Sequence, residues 1–298
     1  MIGGSADPRK PARDSEFISA MTNAEFSAAL FAGSIVAGFV GSLTGLGGGV
    51  VIVPLLTVGF GVNMRYAIGA SLVSVIATSS GAAAAYVREG FSNIRVGMLL
   101  EIATSLGALV GAALAAHVPT AGLAILFGAV LLFSAFAPGH KEGRSVARGG
   151  TSSIAQRLGL DSTYSSVRGP VPYSVRHVPF GFGIMTVAGA LSGLLGIGSG
   201  AVKVLAMDFA MGLPFKVSTT TSNFMIGVTA AASAGIYLHR GYIDPGLAMP
   251  VTLGVLAGSV AGARQLAGAE VRVLRFLFRA AILALGVEMI YNGLKGKL

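Results

Sequence analysis

The sequence predicts an all-α integral membrane protein built from two homologous repeats, each with four spanning helices and a short re-entrant or broken half-helix. Three observations predict it. Only 11% of the 298 residues are charged while 53% are hydrophobic, against about 25% charged in an average soluble domain. Apolar runs long enough to cross a bilayer recur along the chain. The two halves also match at a fixed spacing, with Gly49 falling on Gly200, an offset of 151 residues.

The charge content is too low to clothe a water-facing surface, and the hydrophobicity is too high for disorder. Mean hydropathy is +0.77. The natural solvent for most of this chain is therefore lipid. There is no cysteine, which removes disulfides, thiolate metal sites and cysteine nucleophiles together. Tryptophan is absent too, so the interfacial aromatic belt rests on Tyr66, Tyr86, Tyr237, Tyr242 and Tyr291. The net charge of +9 would suggest nucleic acid in a soluble protein. Here the basic residues sit in short loops between apolar runs, where they act as topology signals. No nucleic-acid partner is expected.

Residues 1–22 form a polar tail with Gly3, Gly4, Ser5, Pro8 and Pro11 beside Arg9, Lys10 and Arg13, expected to be disordered. The apolar stretch after Glu25 is long enough to span and carries no convincing cleavage site, so it reads as the first helix rather than a signal peptide. The apolar runs are 26–45, 49–60, 67–87, 96–116, 121–137, 179–198, 201–212, 217–238, 246–266 and 273–292. Crossing takes about 20 residues. Runs 49–60 and 201–212 fall short of that and read as re-entrant or broken half-helices. The expected units are thus a first repeat over 23–137, a basic cytoplasmic linker over 138–178 and a second repeat over 179–298.

Basic residues set the orientation. The linker holds Lys141, Arg144, Arg148, Arg157, Arg168 and Arg176 and goes to the cytoplasm of a bacterial-type inner membrane. If the short runs do not cross, both termini and the Arg88–Arg95 loop are cytoplasmic as well. If they cross, the halves become five plus five inverted repeats and the termini move outside. The first arrangement is the expectation, although it leaves Arg65 and Lys216 outside.

The repeat carries the organisation. Gly45-Leu-Gly47-Gly48-Gly49 falls on Gly196-Ile-Gly198-Ser199-Gly200, Arg65 on Lys216, Ser71 on Ser222, Tyr86 on Tyr237, and Gly107 and Gly111 on Gly258 and Gly262. Duplicated halves with glycine-interrupted helices at matching positions are a transporter pattern. They place the site at the midplane, where half-helix ends face the substrate.

The candidate site follows from that pattern. Gly45, Gly47, Gly48 and Gly49, with Gly196, Gly198, Ser199 and Gly200, would shape it. Half-helix N-termini after Gly49 and Gly200 suit an anion; the alternative is close helix packing, which is the reading for Gly107, Gly111, Gly258 and Gly262. Thr221, Ser222 and Asn223 are candidate anion ligands, with Ser71 opposite; the alternative is helix capping from Ser218. Lys203 stands where the first copy has Ile52, and an intramembrane ionisable residue is a functional candidate by default. It pairs with the anion, or else with Asp208 or the interface. Asp208 is a candidate coupling carboxylate for protons or sodium. Glu101 and Glu288 lie nearer helix ends and rank below it.

No catalytic constellation is present. His117, His140, His177 and His239 are scattered at loop positions without metal-ligand spacing. No Gly-Lys-Ser/Thr follows the glycine segments, so neither a nucleotide motif nor any other cofactor is expected.

At Gly41–Pro54 the chain reads Gly-Ser-Leu-Thr-Gly-Leu-Gly-Gly-Gly-Val-Val-Ile-Val-Pro. This resembles the opening of a sulfite exporter TauE/SafE family protein, a family also called the 4-toluene sulfonate uptake permease family. The signature recurs in degenerate form at Ser192–Leu205. The segments Arg65-x-x-x-Gly69-Ala70-Ser71-Leu72 and Lys216–Asn223 resemble the family's entries into the following helix. The resemblance implies an α-helical permease for sulfite, sulfonates or related anions, often outward. The second copy departs from the pattern at Lys203 and at Leu205, which replaces Pro54. Two rival classes are an intramembrane enzyme, which would need a clustered nucleophile and base, and a non-transporting scaffold docking through the basic linker.

Overall fold

A computed structural model describes residues 22–44, 48–88, 92–136, 152–166, 169–266 and 271–296. The N-terminal tail up to residue 21, Gly45–Gly47 and the first part of the linker lie outside the described residues. The body is helical: α1 (Asn23–Thr44), α2 (Gly49–Pro54), α3 (Met64–Arg88), α4 (Ile94–Leu114), α5 (Thr120–Phe136), α6 (Ser153–Arg157), α7 (Val178–Leu195), α8 (Gly200–Leu205), α9 (Phe215–His239), α10 (Pro245–Leu266) and α11 (Val271–Leu294). Among the described residues, α4 and α7 are the helices both long and apolar enough to cross a membrane by themselves.

Helix bounds recur at the spacing read from the sequence. Gly49–Pro54 corresponds to Gly200–Leu205, and Met64–Arg88 to Phe215–His239. Each six-residue helix runs on into a wider π turn, Leu55–Gly59 and Ala206–Ala210. Both turns close alike: the Phe60 N–H donates to the Leu55 carbonyl and the Met211 N–H to the Ala206 carbonyl, each at 3.2 Å. The widening therefore does not depend on Pro54, since Leu205 supports the same geometry.

Local signals explain the ends. The Asn93 side chain accepts from the Val96 N–H at 3.1 Å and caps α4. Gly196 sits at φ +67, and its N–H reaches the Ser192 carbonyl, terminating α7. Glycines also set the helix spacing. A side chain on Gly189 or Gly193 of α7 would run into the Thr104 or Ala108 carbonyl of α4, and one on Gly107 or Gly111 of α4 would meet the Thr186 or Ala190 carbonyl of α7. The α1–α10 pair is built the same way, with Gly38 against Val255 and Gly258 against the Ile35 carbonyl. Packing of this kind is what Gly107, Gly111 and Gly258 were expected to provide. Since α1 lies on α10, and α4 on α7, each half contributes one partner to both tight pairs.

The bundle has two distinct ends. At one, Arg65 donates to the Ala116 and Val118 carbonyls, Arg240 donates to the Ala112 carbonyl, and Tyr66 packs edge-on against Tyr242. Phe26 at the start of α1 packs on Phe60 there, and Gly293 near the end of α11 lies against Ala121. At the other end, Asn93 donates to the Leu160 carbonyl, Arg95 to the Gly159 carbonyl, and the Arg176 N–H to the Met211 carbonyl. The described part of the linker thus sits at the end opposite the start of α1 and the close of α11. The expectation grouped linker and termini on one side. The difference arises at the short segments, which start deep in the bundle and carry the chain on to a further end.

The linker is more than a tether. Residues Ser162–Ser166 and Gly169–Tyr173 pair as an antiparallel hairpin, the one departure from an all-α reading among the described residues. Ala155, Leu160 and Val175 are buried in the same apolar cluster as Val96, Leu100, Met207 and Val217. The outer face of α4 exposes Met98, Ile102, Leu106 and Val110 at helical spacing, a stripe suited to lipid.

Candidate functional site

The glycine segments meet inside the bundle. Ser71 of α3 donates to the Gly196 carbonyl at 2.8 Å. A side chain on Gly49 would lie 2.8 Å from the Ser71 hydroxyl and 2.9 Å from the Gly196 carbonyl. Gly48 faces Val255, and Gly198, at φ +70, faces Ile226. The bend continues through Ser199 at φ +47, a left-handed conformation that is rare without a glycine. The Ser199 hydroxyl is buried and has no hydrogen-bond partner. Ser199 thus combines a strained backbone with an orphaned buried hydroxyl.

Lys203 lies one turn further along α8 and is wholly buried. Its Nζ donates to the Thr229 hydroxyl at 2.5 Å. Thr229 in turn donates to Glu101 Oε1 at 2.8 Å and lies 3.3 Å from the Thr104 hydroxyl. Ser105 donates to the same Glu101 oxygen at 2.9 Å. Glu101 Oε2 is buried with no hydrogen-bond partner. Lys203 and Glu101 are each other's electrostatic partners. Three elements from both halves therefore converge: α4 brings Glu101, Thr104 and Ser105, α8 brings Lys203, and α9 brings Thr229. Glu101 and Thr229 each stand eight residues, about 12 Å of helix, beyond the Asn93–Thr221 hydrogen bond at the linker end. The cluster lies deep within the bundle.

The predicted residues divide accordingly. Gly48, Gly49, Ser71, Gly196, Gly198, Ser199 and Gly200 form the central junction, with Ser222 donating to the Gly200 carbonyl at 3.3 Å. Lys203 heads the polar cluster. Thr221 is used elsewhere: it accepts the Asn93 N–H at 3.0 Å and so ties α9 to the linker end. Asn223 is half-buried on α9, and Asp208 is buried in the π turn after α8. Gly45 and Gly47 lie outside the described residues.

Glu101, Thr104 and Thr229 were not singled out as site residues. Glu101 ranked low because it lies near a helix end in sequence. The useful signal was the polar set Glu101, Thr104 and Ser105, spaced to share one face of α4. The 151-residue offset adds a second signal, since Thr229 falls on Thr78, Glu101 on Thr252 and Lys203 on Ile52. The matching set Ile52, Thr78 and Thr252, likewise drawn from both halves, thus has the positions without the charges.

A sequence profile described as Sulfite exporter TauE/SafE matches residues 30–289. The chain belongs to the TauE/SafE family. Among its relatives, the Bacillus subtilis protein YunE, described as a probable membrane transporter, is 28% identical over 268 residues, covering 87% of this chain and 96% of its own. YjnA of the same organism carries the same description and is 29% identical, with coverage of 88% and 96%. ORF9 of a Sinorhizobium species, likewise described, is 23% identical, with coverage of 88% and 91%. No solved structure matches. TauE/SafE is a family of membrane transporters and not of enzymes, so this TauE/SafE chain works in a lipid bilayer on a small-molecule substrate.

Proposed function

We propose that the chain is a secondary transporter of a small sulfur-containing oxyanion, sulfite or a sulfonate, across a bacterial-type inner membrane. The carrying observation is Lys203: a wholly buried cation in a broken helix, held by a hydroxyl and beside the strained Gly196–Gly200 bend. A charge at that depth is tolerated where it has a partner and a task. The Ser199 hydroxyl, one turn before it and without a hydrogen-bond partner, supplies a further donor.

The supporting topology is five plus five segments in inverted halves, the second of the two arrangements weighed from the sequence. With the linker end cytoplasmic, Arg88, Arg95, Lys216, Arg264 and Arg272 join the linker's basic residues on that side. Both termini then lie outside. The basic excess then lies on the linker side and Lys216 leaves its anomalous place, while Arg9, Lys10, Arg13, Lys295 and Lys297 go outside with the termini and Arg65 and Arg240 stay at that end. Alternating access would rock the two interlocked halves around the central glycine junction. The inside-negative potential favours outward movement of an anion that crosses without a coupled ion, by about 2.3 kcal/mol per charge per 100 mV, so export is the proposed direction for uncoupled transport.

The test is flux in proteoliposomes with sulfite, sulfate, thiosulfate, taurine and sulfoacetate. Sulfite or a sulfonate is expected to move, and Lys203→Ala is expected to lose that movement. Wild-type rates in Lys203→Ala would refute the site. Absence of protein-dependent flux for every anion would refute the function.

A further inference from the structure

We infer that Glu101 is a stand-in anion for Lys203, and that substrate binding is exchanged for protonation of this carboxylate. The inference rests on the transport reading above. The Thr229 hydroxyl donates to Glu101 Oε1 and accepts from Lys203, so in the empty protein one cation is neutralised by one internal anion across a single hydroxyl. Ser105 holds the same oxygen, while Oε2, nine-tenths buried with the rest of the side chain, has no partner.

An anion arriving at Lys203 puts two negative charges on one buried cation. In a low-dielectric interior that state is unfavourable by far more than in water. A proton taken from solution onto Glu101 Oε2 restores neutrality, and no other bond forms or breaks. Lys203 then belongs to the substrate, and the protonated Oε2 becomes a donor where none existed. When the anion leaves, the proton leaves with it and Glu101 resumes its place through Thr229. One proton therefore accompanies each anion.

No other ionisable group supplies that charge balance from the neighbouring helices. Helix α7, packed on α4, has no ionisable residue between Val178 and Leu195, and on α9 the ionisable residues are Lys216, Tyr237 and His239, all toward its ends. Arg95 at the start of α4 is engaged with Gly159. Asp208 lies beyond Lys203, in the π turn of the same broken segment. The coupling role first considered for Asp208 thus passes to Glu101. At the matching positions on the 151-residue offset, Ile52 and Thr252 stand for Lys203 and Glu101, so the exchange is confined to one site.

The test uses the full chain in proteoliposomes with sulfite, thiosulfate and methanesulfonate, the last ionised at every pH used, and subtracts the leak of protein-free vesicles. With the membrane potential clamped at zero, a pH gradient alone should accumulate the transported anion on the alkaline side. In detergent, adding the same anion to the wild type should take up about one proton per anion bound, read with a pH dye. Glu101→Gln, a neutral near-isostere, should lose both effects. Downhill wild-type flux with no pH-driven accumulation and no proton uptake would overturn the inference and leave the transport reading standing. Proton uptake that persists in Glu101→Gln would also overturn it. If no anion moves downhill, the transport reading falls and takes the inference with it. The wild-type proton measurement decides the matter even if Glu101→Gln fails to fold.

Discussion

Replacing Thr229 by Val is the sharpest probe of the buried cluster. Valine keeps the shape and leaves no cavity, so only the hydroxyl is lost. That hydroxyl accepts from Lys203 at 2.5 Å and donates to Glu101 at 2.8 Å. Hydrogen bonds to charged groups contribute about 1.5–3 kcal/mol each, giving a ceiling of about 3–6 kcal/mol. Hydrogen bonds between membrane helices measure lower, about 0.6 kcal/mol on average and about 1.7 at most. Lys203 and Glu101 remain electrostatic partners after the change and recover part of the loss by approaching each other. The expected net loss is about 2 kcal/mol. Divided equally, about 1 kcal/mol appears as stability, a fall of roughly 2–4 °C in the apparent unfolding midpoint at fixed scan rate in detergent. The other 1 kcal/mol or so appears as function, about a five-fold loss in anion affinity. Thr229→Ser, which keeps the hydroxyl, should lie close to wild type in both. If Thr229→Val matches wild type, or if Thr229→Ser is as damaged as Thr229→Val, the hydroxyl is not the link between the two charges.

Three further outcomes are expected. Gly193→Ala puts a methyl into the Ala108 carbonyl and should destabilise the α4–α7 pair by about 1–3 kcal/mol, whereas Gly235→Ala, with open space around it, should be neutral by the same thermal assay. Asn93→Ala removes the α4 cap and two bonds to the linker, at Leu160 and the Tyr173 hydroxyl, both 2.9 Å; trypsin cleavage after Arg157 and Arg176 should rise several-fold in reconstituted protein. The cysteine-free chain allows single-cysteine labelling with an impermeant thiol reagent: Asn63→Cys and Ser162→Cys, both at exposed positions, should react from opposite faces of the membrane, and labelling from one face would refute the five-plus-five topology.

Orientation shows where counting and contacts part. The basic loops were tallied with the short segments treated as not crossing, which left Arg65 and Lys216 on the outside. Two contacts, Arg65 on the Ala116 carbonyl and Arg176 N–H on the Met211 carbonyl, divide the loops between two ends instead. A hydropathy window measures length, whereas a broken helix reaches an end by starting deep in the protein. The linker was underestimated for a related reason. Its Ala155, Leu160 and Val175 are too few to announce a core by themselves, and become one only beneath Val96, Met207 and Val217.

By itself the sequence determined the lipid-solvated helical class, the family and the correspondence between halves, down to the first residue of each broken helix. Those follow from composition, periodicity and glycine placement, which act locally and survive duplication. It also marked Lys203, because a charge in an apolar run is conspicuous wherever it ends up. Only the tertiary structure decided its partner. Glu101 is 102 residues away in the chain, and Thr229 comes between the two through a third helix. Which of several buried acids meets a buried lysine depends on how α4 is drawn onto α7 and α9, and that approach is set by backbones touching where glycine leaves room.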